Sequence, residues 1–299
     1  MLWGVCEVRV RIYQIDQERD AKHAKFMDKE YLKATLGLDN PDPQWYQEVL
    51  NAEIEPCDIE HIFHRFNVGE GHPLFHGHSL SVSDVVVIER GNTPMAVGEI
   101  LVKDGENTQL NRYSKFLEYV ARISELTEMG KDFEAKGMIG LNIPMQPMPE
   151  PGAYFCDSIG FQRIEFDESK VEKPDNLLRI VYVEPHKAPY EASLLSGLEH
   201  EQKAVGGMIE CFYDDCGLQV VANENAKCEG MDGNRRFNGG NSIIAGPFFL
   251  VGQKQGEDGG EFCSLTDSEV ELALDRFDEI EDISEEETMA DTGFTIWSF

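Results

Sequence analysis

Apolar and polar side chains alternate along several short segments, which is the period of a β-strand with one buried face. The clearest case is CEVRVRI at residues 6–12, where apolar side chains alternate with charged ones. Strands are also predicted at residues 79–89, 153–166, 177–184, 208–213, 218–222 and 242–252.

Capping residues and apolar stripes at helical spacing predict the helices. Asp28 can cap a helix that reaches Leu36, with Gly37 as its stop. Thr266 and Glu269 form a capping box ahead of an apolar stripe in the last predicted helix. The other predictions are a helical turn at 44–51, a helix that begins after Asp58, and helices over 108–129 and 190–205.

Irregular alternation of strands and helices favours an α+β class, with two small mixed α+β domains, each a mainly antiparallel sheet with flanking helices. The polar stretch 167–175, which contains Pro174, is the predicted linker. The predicted domains are 1–168, with a helical insertion at about 95–152, and 176–299, with an acidic C-terminal helix and tail.

Charge limits the classes of partner. The 299 residues include 26 Lys+Arg and 56 Asp+Glu, a formal net charge of −30, with 41% hydrophobic residues to form a core. Direct binding of nucleic acid or of an anionic membrane surface is not expected, because both require clustered cations. We expect a cytoplasmic protein, because no apolar run reaches about 18 residues and the N-terminus lacks the pattern of a signal peptide.

Acidic residues are concentrated near the C-terminal end. Residues 251–299 carry 15 acidic and 2 basic side chains, most densely from Asp267 to Glu287. One interpretation is a solvated helix face followed by an acidic spacer. The other is a surface that competes with nucleic acid for a basic protein. Its candidate partner-binding residues are Glu269, Glu271, Asp275, Asp278, Glu279, Glu281 and Asp282.

Cysteine and histidine patterns give little support for a metal or a disulfide framework. The seven cysteines are scattered without a CxxC motif, and Cys211 is interpreted as a buried strand residue. Five histidines lie between His61 and His78, which raises a metal hypothesis. Because His61 and His64 lie off the apolar stripe of their helix and few carboxylates are near, we predict no metal and no cofactor.

Three polar residues are candidates for acid–base chemistry. Asp84 and Asp157 lie in strand-like apolar runs, where a carboxylate must be hydrogen-bonded or exposed, and His78 abuts the first run. Either the carboxylates accept local hydrogen bonds and fix a strand end or a turn, or they form an acid–base site with His78. No phosphate-binding glycine loop, GxSxG or HExxH motif is present.

Arg235 and Arg236 form the one paired basic dipeptide of the second half. They are candidates for binding a carboxylate or phosphate anion, and an intramolecular salt bridge is the alternative.

Residues from about 9 to 167 resemble the YodL-like domain. The resemblance is carried by RIYQI (11–15), FMDKEYL (26–32), HIFHRFN (61–67), GHSLSVSDVVVI (77–88) and YFCDSIGFQRIEF (154–166). About 60 residues separate the last two motifs, where members of that family have a short connection.

Residues from about 178 to 280 resemble a second family, the domain of unknown function 3846. Its motifs here are VYVEPHKAPYEASL (181–194), LEHEQKAVGGMIE (198–210), NENAKCEGMDGNRRF (223–237), IIAGPFFLVG (243–252) and FCSLTDSEVE (262–271). Both resemblances imply cargo of conjugative elements and phages, with no assigned reaction.

We therefore expect a non-enzymatic accessory protein of a mobile element that acts through protein–protein contacts. Its partner would be a host or element-encoded protein, and a narrower form of the hypothesis is counter-defence by acidic mimicry of nucleic acid, which would occupy a basic nucleic-acid-handling protein. The alternative is an enzyme or small-ligand-binding protein with a site around His78, Asp84 and Asp157. The identity of the partner and the oligomeric state stay open.

Overall fold

A computed structural model of the chain describes residues 6–55, 59–94, 100–104, 106–110, 151–214, 217–237, 239–240, 242–254 and 261–292. Their strands pair antiparallel throughout and are accompanied by short helices, so the predicted α+β class is confirmed. In the described part of the chain, no helix has the length and apolar character that crossing a bilayer requires.

The first half builds a five-stranded sheet. Its strands are β1 (Cys6–Ile15), β2 (Tyr46–Ile54), β3 (Val85–Pro94), β6 (Gly152–Cys156) and β7 (Phe161–Ile164), in the order β2-β1-β3-β6-β7. Strands β4 (Ile100–Asp104) and β5 (Glu106–Leu110) form a separate hairpin.

Two predicted helices of the first half are confirmed. Helix α1 (Lys29–Tyr31) continues as a π-helical turn (Leu32–Leu36) and ends at Gly37, whose φ of 70° is left-handed. Asp28 caps it by accepting a hydrogen bond from the Tyr31 amide. Helix α2 (Ile59–Asn67) buries Ile62 and Phe66 of its predicted apolar stripe, whereas Phe63 is 37% exposed.

The second half builds a second antiparallel sheet. It contains β8 (Leu177–Val183), β9 (Tyr190–Leu195), β10 (Ile209–Tyr213), β11 (Gln219–Asn223) and β14 (Phe248–Gln253) in the order β10-β11-β14-β8-β9, with β15 (Phe262–Cys263) beside β14. Strands β12 (Gly233–Phe237) and β13 (Ser242–Ala245) form a hairpin. The helices are α3 (Leu198–Val205), α4 (Asp267–Phe277) and α5 (Glu285–Ala290). The predicted capping box of α4 is confirmed.

The two sheets share one hydrophobic core. One continuous cluster contains Leu50 and Ile62 from the first half together with Leu178, Leu194 and Phe249 from the second. Strand β2 is the outer strand of its sheet, yet almost every residue in it is buried, because β9 and its surroundings pack against it.

Two predicted helical segments are strands. Residues 46–51 lie in β2, which pairs with β1 and follows a 3₁₀ turn that ends at Trp45, and residues 190–195 form β9, which pairs with β8. Pairing with another strand overrides the local helical spacing in both cases. The helix over 108–129 is wrong at its first residues, which belong to β5, and the rest lies outside the described residues.

Three predicted strands are interrupted by turns. Residues 79–84 form a turn before β3, residues 157–160 separate β6 from β7, and Gly246 with φ of 69° separates β13 from β14. Cys211 is exposed rather than buried, because β10 is the outer strand of its sheet.

The predicted linker packs against the first sheet. Glu168 lies in a short 3₁₀ turn and pairs with Arg11 of β1 at 3.1 Å, and Val171 is buried. The domain limits at 168 and 176 stay a prediction, as does the helical character of the insertion beyond the β4–β5 hairpin.

Candidate functional site

The buried carboxylate of Asp84 lies where β3 begins. One oxygen, Oδ2, accepts hydrogen bonds from the Ser81 amide (2.9 Å), the Ser81 hydroxyl (3.3 Å) and the Gln14 side-chain amide (2.9 Å). Burial raises the pKa of Asp84 to about 6, against the lowering effect of these bonds and of His78. The carboxylate thus fixes the turn 81–84 and holds it against β1.

His78 lies beside Asp84, with 3.9 Å between its Nδ1 and the Asp84 Oδ2. The Gln14 side-chain amide donates one hydrogen to the His78 carbonyl at 2.7 Å and the other to Asp84. Because a carbonyl oxygen only accepts, the Nδ1 atom of His78 donates to the Ser79 carbonyl at 2.8 Å. His78 and Asp84 thus lie together, with an exposed imidazole and a buried carboxylate.

Asp157 belongs to a different set of contacts. It lies in the turn between β6 and β7, where Oδ1 accepts from the Ser158 amide (2.8 Å) and the Lys29 amide (3.2 Å), and Oδ2 accepts from the Gln162 side chain. An open cleft of about 580 Å³ lies beside Asp157. Acidic and basic side chains line it, among them Asp28, Lys33 and Asp157. Both aspartates accept local hydrogen bonds, as the first of the two interpretations expects.

The histidines are distributed over separate environments. His61 and His64 are exposed on α2, whereas His72 is buried, with its Nε2 3.4 Å from the Tyr190 hydroxyl. Burial lowers the pKa of His72 to about 3, so that its imidazole is neutral at pH 7. Within the described ranges, His, Cys, Asp and Glu side chains form no group of three that could hold a metal ion.

Arg235 and Arg236 point to opposite faces of β12 and have different roles. Arg235 is 1% exposed and donates to the carbonyls of Phe277 (3.0 Å) and Lys187 (2.6 Å) and to Asn234. Burial lowers the pKa of Arg235 to about 10. Protein acceptors therefore occupy this guanidinium, and an external anion would have to displace them.

Arg236 forms the intramolecular salt bridges of the alternative interpretation. Its guanidinium contacts Glu281 at 2.7 Å and Glu287 at 2.9 Å, and its amide donates to Glu281 at 2.6 Å. The hydrogen bond with Glu281 is the main cause that raises the pKa of Arg236.

The seven acidic candidates divide into two groups. Glu269 accepts from the Thr266 amide and hydroxyl, which lowers its pKa, and Glu281 is bound to Arg236. The side chains of the others are exposed: Glu271, Asp275, Asp278, Glu279 and Asp282.

Two residues that matter for these arrangements were missed from the sequence. Gln14 joins His78 and Asp84 from β1, and Glu48 is a buried carboxylate on β2. Gln14 is 64 residues from His78 along the chain, and Glu48 lies in a segment interpreted as helical, so no local pattern marks either residue.

The described residues form an α+β protein with two main sheets, and Arg235 and Arg236 bind its acidic helical segment. Residues 9–96 match the model of the YodL-like domain, and residues 178–278 match the model of the domain of unknown function DUF3846. The two matches stand in the predicted order, and the first ends at residue 96, before the predicted limit of about 167. Searches of the curated proteins and of the solved structures each give no match.

Proposed function

We propose that the chain is a non-enzymatic accessory protein of a conjugative element or phage, which acts in the host cytoplasm by binding another protein. One observation carries the proposal, namely the exposed acid of residues 267–287, here called the acidic segment. It contains eleven carboxylates and one cation, Arg276, whose guanidinium faces Asp214 at 3.6 Å. The segment therefore presents negative charge that a basic partner could neutralise.

The two faces of α4 are sharply different. Val270, Ala273 and Phe277 are buried against the second sheet. The opposite face presents Glu271 and Asp275, followed by Asp278 at the helix end, in a row with steps of about 6 and 4.5 Å along the axis.

Two aliphatic side chains lie among the exposed acidic residues of the acidic segment. Leu272 is 40% exposed and Ile280 is 37% exposed. Apolar contact combined with complementary charge is typical of a protein interface, where the apolar groups supply affinity and the charges supply orientation and association rate.

The acidic segment is held in place before any partner binds. Arg235 binds the last carbonyl of α4, and Arg236 binds Glu281 and Glu287 beyond it. Thr266 and Ser284 cap the two helices through complete capping boxes. A rigid segment loses less entropy on binding, which favours a docking role.

The finer form of the proposal is counter-defence by mimicry of nucleic acid. Its partner would be a host or element-encoded protein with a basic nucleic-acid-binding groove. The row of carboxylates on α4 supports it, and so does the resemblance to families carried by mobile elements.

The test is quantitative affinity capture from a host lysate with three forms of the full chain. The first is the wild type, and the second carries Glu271→Gln, Asp275→Asn, Asp278→Asn and Glu279→Gln. The matched control carries Glu18→Gln, Glu55→Gln, Glu70→Gln and Glu165→Gln, which remove the same charge from exposed positions elsewhere.

We expect wild type and control to retain the same basic proteins and the second form to lose them. Release of these proteins by duplex DNA would support mimicry over simple charge contact. Equal capture by all three forms would contradict the proposed role of the acidic segment.

A further inference from the structure

Strand β10 has an open outer edge. It is the last strand of the second sheet, and no described strand pairs with the side that faces away from β11. Exposed strand edges normally carry charges or prolines that prevent pairing with another chain. Strand β10 carries one charged residue, Glu210.

The outward backbone groups of β10 can be assigned from its hydrogen bonds to β11. The Asp214 amide donates to the Leu218 carbonyl, and the Met208 carbonyl accepts from the Glu224 amide. In an antiparallel ladder such pairs occur at every second residue, so even-numbered positions of β10 face β11. The amides and carbonyls of Ile209, Cys211 and Tyr213 therefore point to the open edge.

Apolar side chains surround this edge. Met208 is 54% exposed, Tyr213 is 58% exposed, and Cys211 is exposed between them. Ile209 is half-buried on the same face as Cys211 and Tyr213. An apolar strand whose outward donors and acceptors are bonded by no described strand is a template for another strand.

We infer that β10 pairs antiparallel with β10 of a second copy of this chain, centred on Cys211. That register places Cys211 opposite itself, Ile209 opposite Tyr213, and Glu210 opposite Phe212. All three outward residues then form hydrogen-bonded pairs, and their side chains form one apolar ladder across the junction.

The two neighbouring symmetric registers are less favourable. A pair centred on Glu210 places two carboxylates opposite each other, and a pair centred on either Glu210 or Phe212 leaves fewer outward groups bonded than the pair centred on Cys211. Charge and hydrogen bonding thus select the same register, and the occupant that this edge fits is its own copy.

The dimer is weak and strengthens with salt. Five residues from each copy form a contact below the size of a stable interface. Each copy carries a formal charge of −30, and the repulsion is screened as ionic strength rises. Binding of a basic partner by the acidic segment weakens with salt, so the two associations respond in opposite directions.

The test is sedimentation equilibrium of the full chain over a range of concentrations, at low and high salt. Cys211→Lys places two cations opposite each other at the centre, and Cys211→Pro removes an outward amide while leaving the bonds to β11 intact. We expect each to weaken association by about tenfold or more, because the first adds repulsion and the second removes two hydrogen bonds. Cys211→Ala is the matched control and is expected to dimerise as the wild type does.

Hydrogen exchange identifies the edge independently of any variant. The amides of Ile209, Cys211 and Tyr213 should gain protection as concentration rises, while the amides of Glu210 and Phe212 stay protected throughout. A chain that is monomeric at every concentration, or Lys and Ala variants that dimerise equally, would overturn the inference. Protection of the odd-numbered amides in a monomer would also overturn it, since another part of the same chain would then cover the edge.

Discussion

Glu48 shows how burial changes the chemistry of a single side chain in this fold. It is 2% exposed on β2, and within the described residues its Oε1 atom has no hydrogen-bond partner. Burial raises the pKa of Glu48, while a hydrogen bond with Ser193 and the charge of Lys173 act in the opposite direction. The folded state therefore favours the protonated carboxyl more than the unfolded chain does.

The first prediction concerns the pH dependence that Glu48 imposes. With a folded-state pKa above the unfolded value of 4.5, its contribution to stability is complete below that value and is lost as pH rises through the folded pKa. The variant Glu48→Gln removes this loss of stability, because a glutamine side chain does not ionise. The free energy of unfolding of the variant relative to wild type should rise by on the order of 1 kcal/mol between pH 4 and pH 7.

Urea unfolding at several pH values measures this difference. Glu18→Gln, at an exposed position, serves as the control and should follow the wild-type profile. A constant offset between Glu48→Gln and wild type across the range would show that Glu48 does not titrate in this interval.

At the scale of elements, the contact between α5 and β12 depends on a glycine. A Cβ atom at Gly233 would lie 2.5 Å from Cγ2 of Ile283 and 2.6 Å from Oγ1 of Thr288. Such distances are shorter than any ordinary contact, so the chain around α5 approaches β12 as closely as it does because no side chain intervenes.

The second prediction is that Gly233→Ala displaces the segment 283–288 and destabilises the protein by about 1–3 kcal/mol, the usual cost of overpacking. Thermal unfolding measures the loss. In the double variant with Ile283→Ala the nearest clash is relieved, so the total cost should be less than the sum of the two single changes. Additive costs would show that the contact with Cγ2 of Ile283 does not contribute to the cost of the alanine.

Prediction from the sequence succeeds where an element is specified by its own residues. The capping box at Thr266, the helix stop at Gly37 and the alternation in β1 all involve neighbours within a few positions. Strands β2 and β9 do not form the predicted helical segments, because pairing with a neighbouring strand and burial against the other sheet specify each of them.

The candidate site divides in the same way. The sequence raised His78 and Asp84 as partners because His78 abuts the strand-like run that contains Asp84, whereas the turn at residues 79–84, which brings them together, was not predicted. No sequence pattern indicated that Gln14, on another strand, contacts both residues. None indicated that Arg235 is buried whereas Arg236 stays accessible to acidic side chains. These facts depend on which strand faces lie inward, and periodicity alone does not determine that in a short strand.

For the molecule as a whole, the shared core makes the two sheets depend on each other. Side chains from β1, β2 and α2 lie in the same cluster as those of β8, β9 and β14. Polar contacts also cross this junction, among them Lys203 to the Phe75 carbonyl at 2.7 Å and His72 to Tyr190.

The third prediction is that the described sheets unfold in one cooperative transition. Leu194→Ala in β9 creates a cavity in the shared core and should cost about 2–5 kcal/mol. Native-state hydrogen exchange should show equal losses of protection for Val10 in β1 and for Val181 in β8. Loss confined to the second sheet, or two separate melting transitions, would show that the halves unfold independently.

The burial of β2 has a practical consequence for anyone who divides this protein. The polar stretch 167–175 is the natural place to cut by composition, but a fragment that ends there would expose to water the apolar side chains that β9 and its neighbours cover. Such a fragment is expected to aggregate, and any ligand it captured through that surface would be an artefact of the cut. Binding experiments on either half are therefore best made with the uncut chain, in which this surface is already occupied.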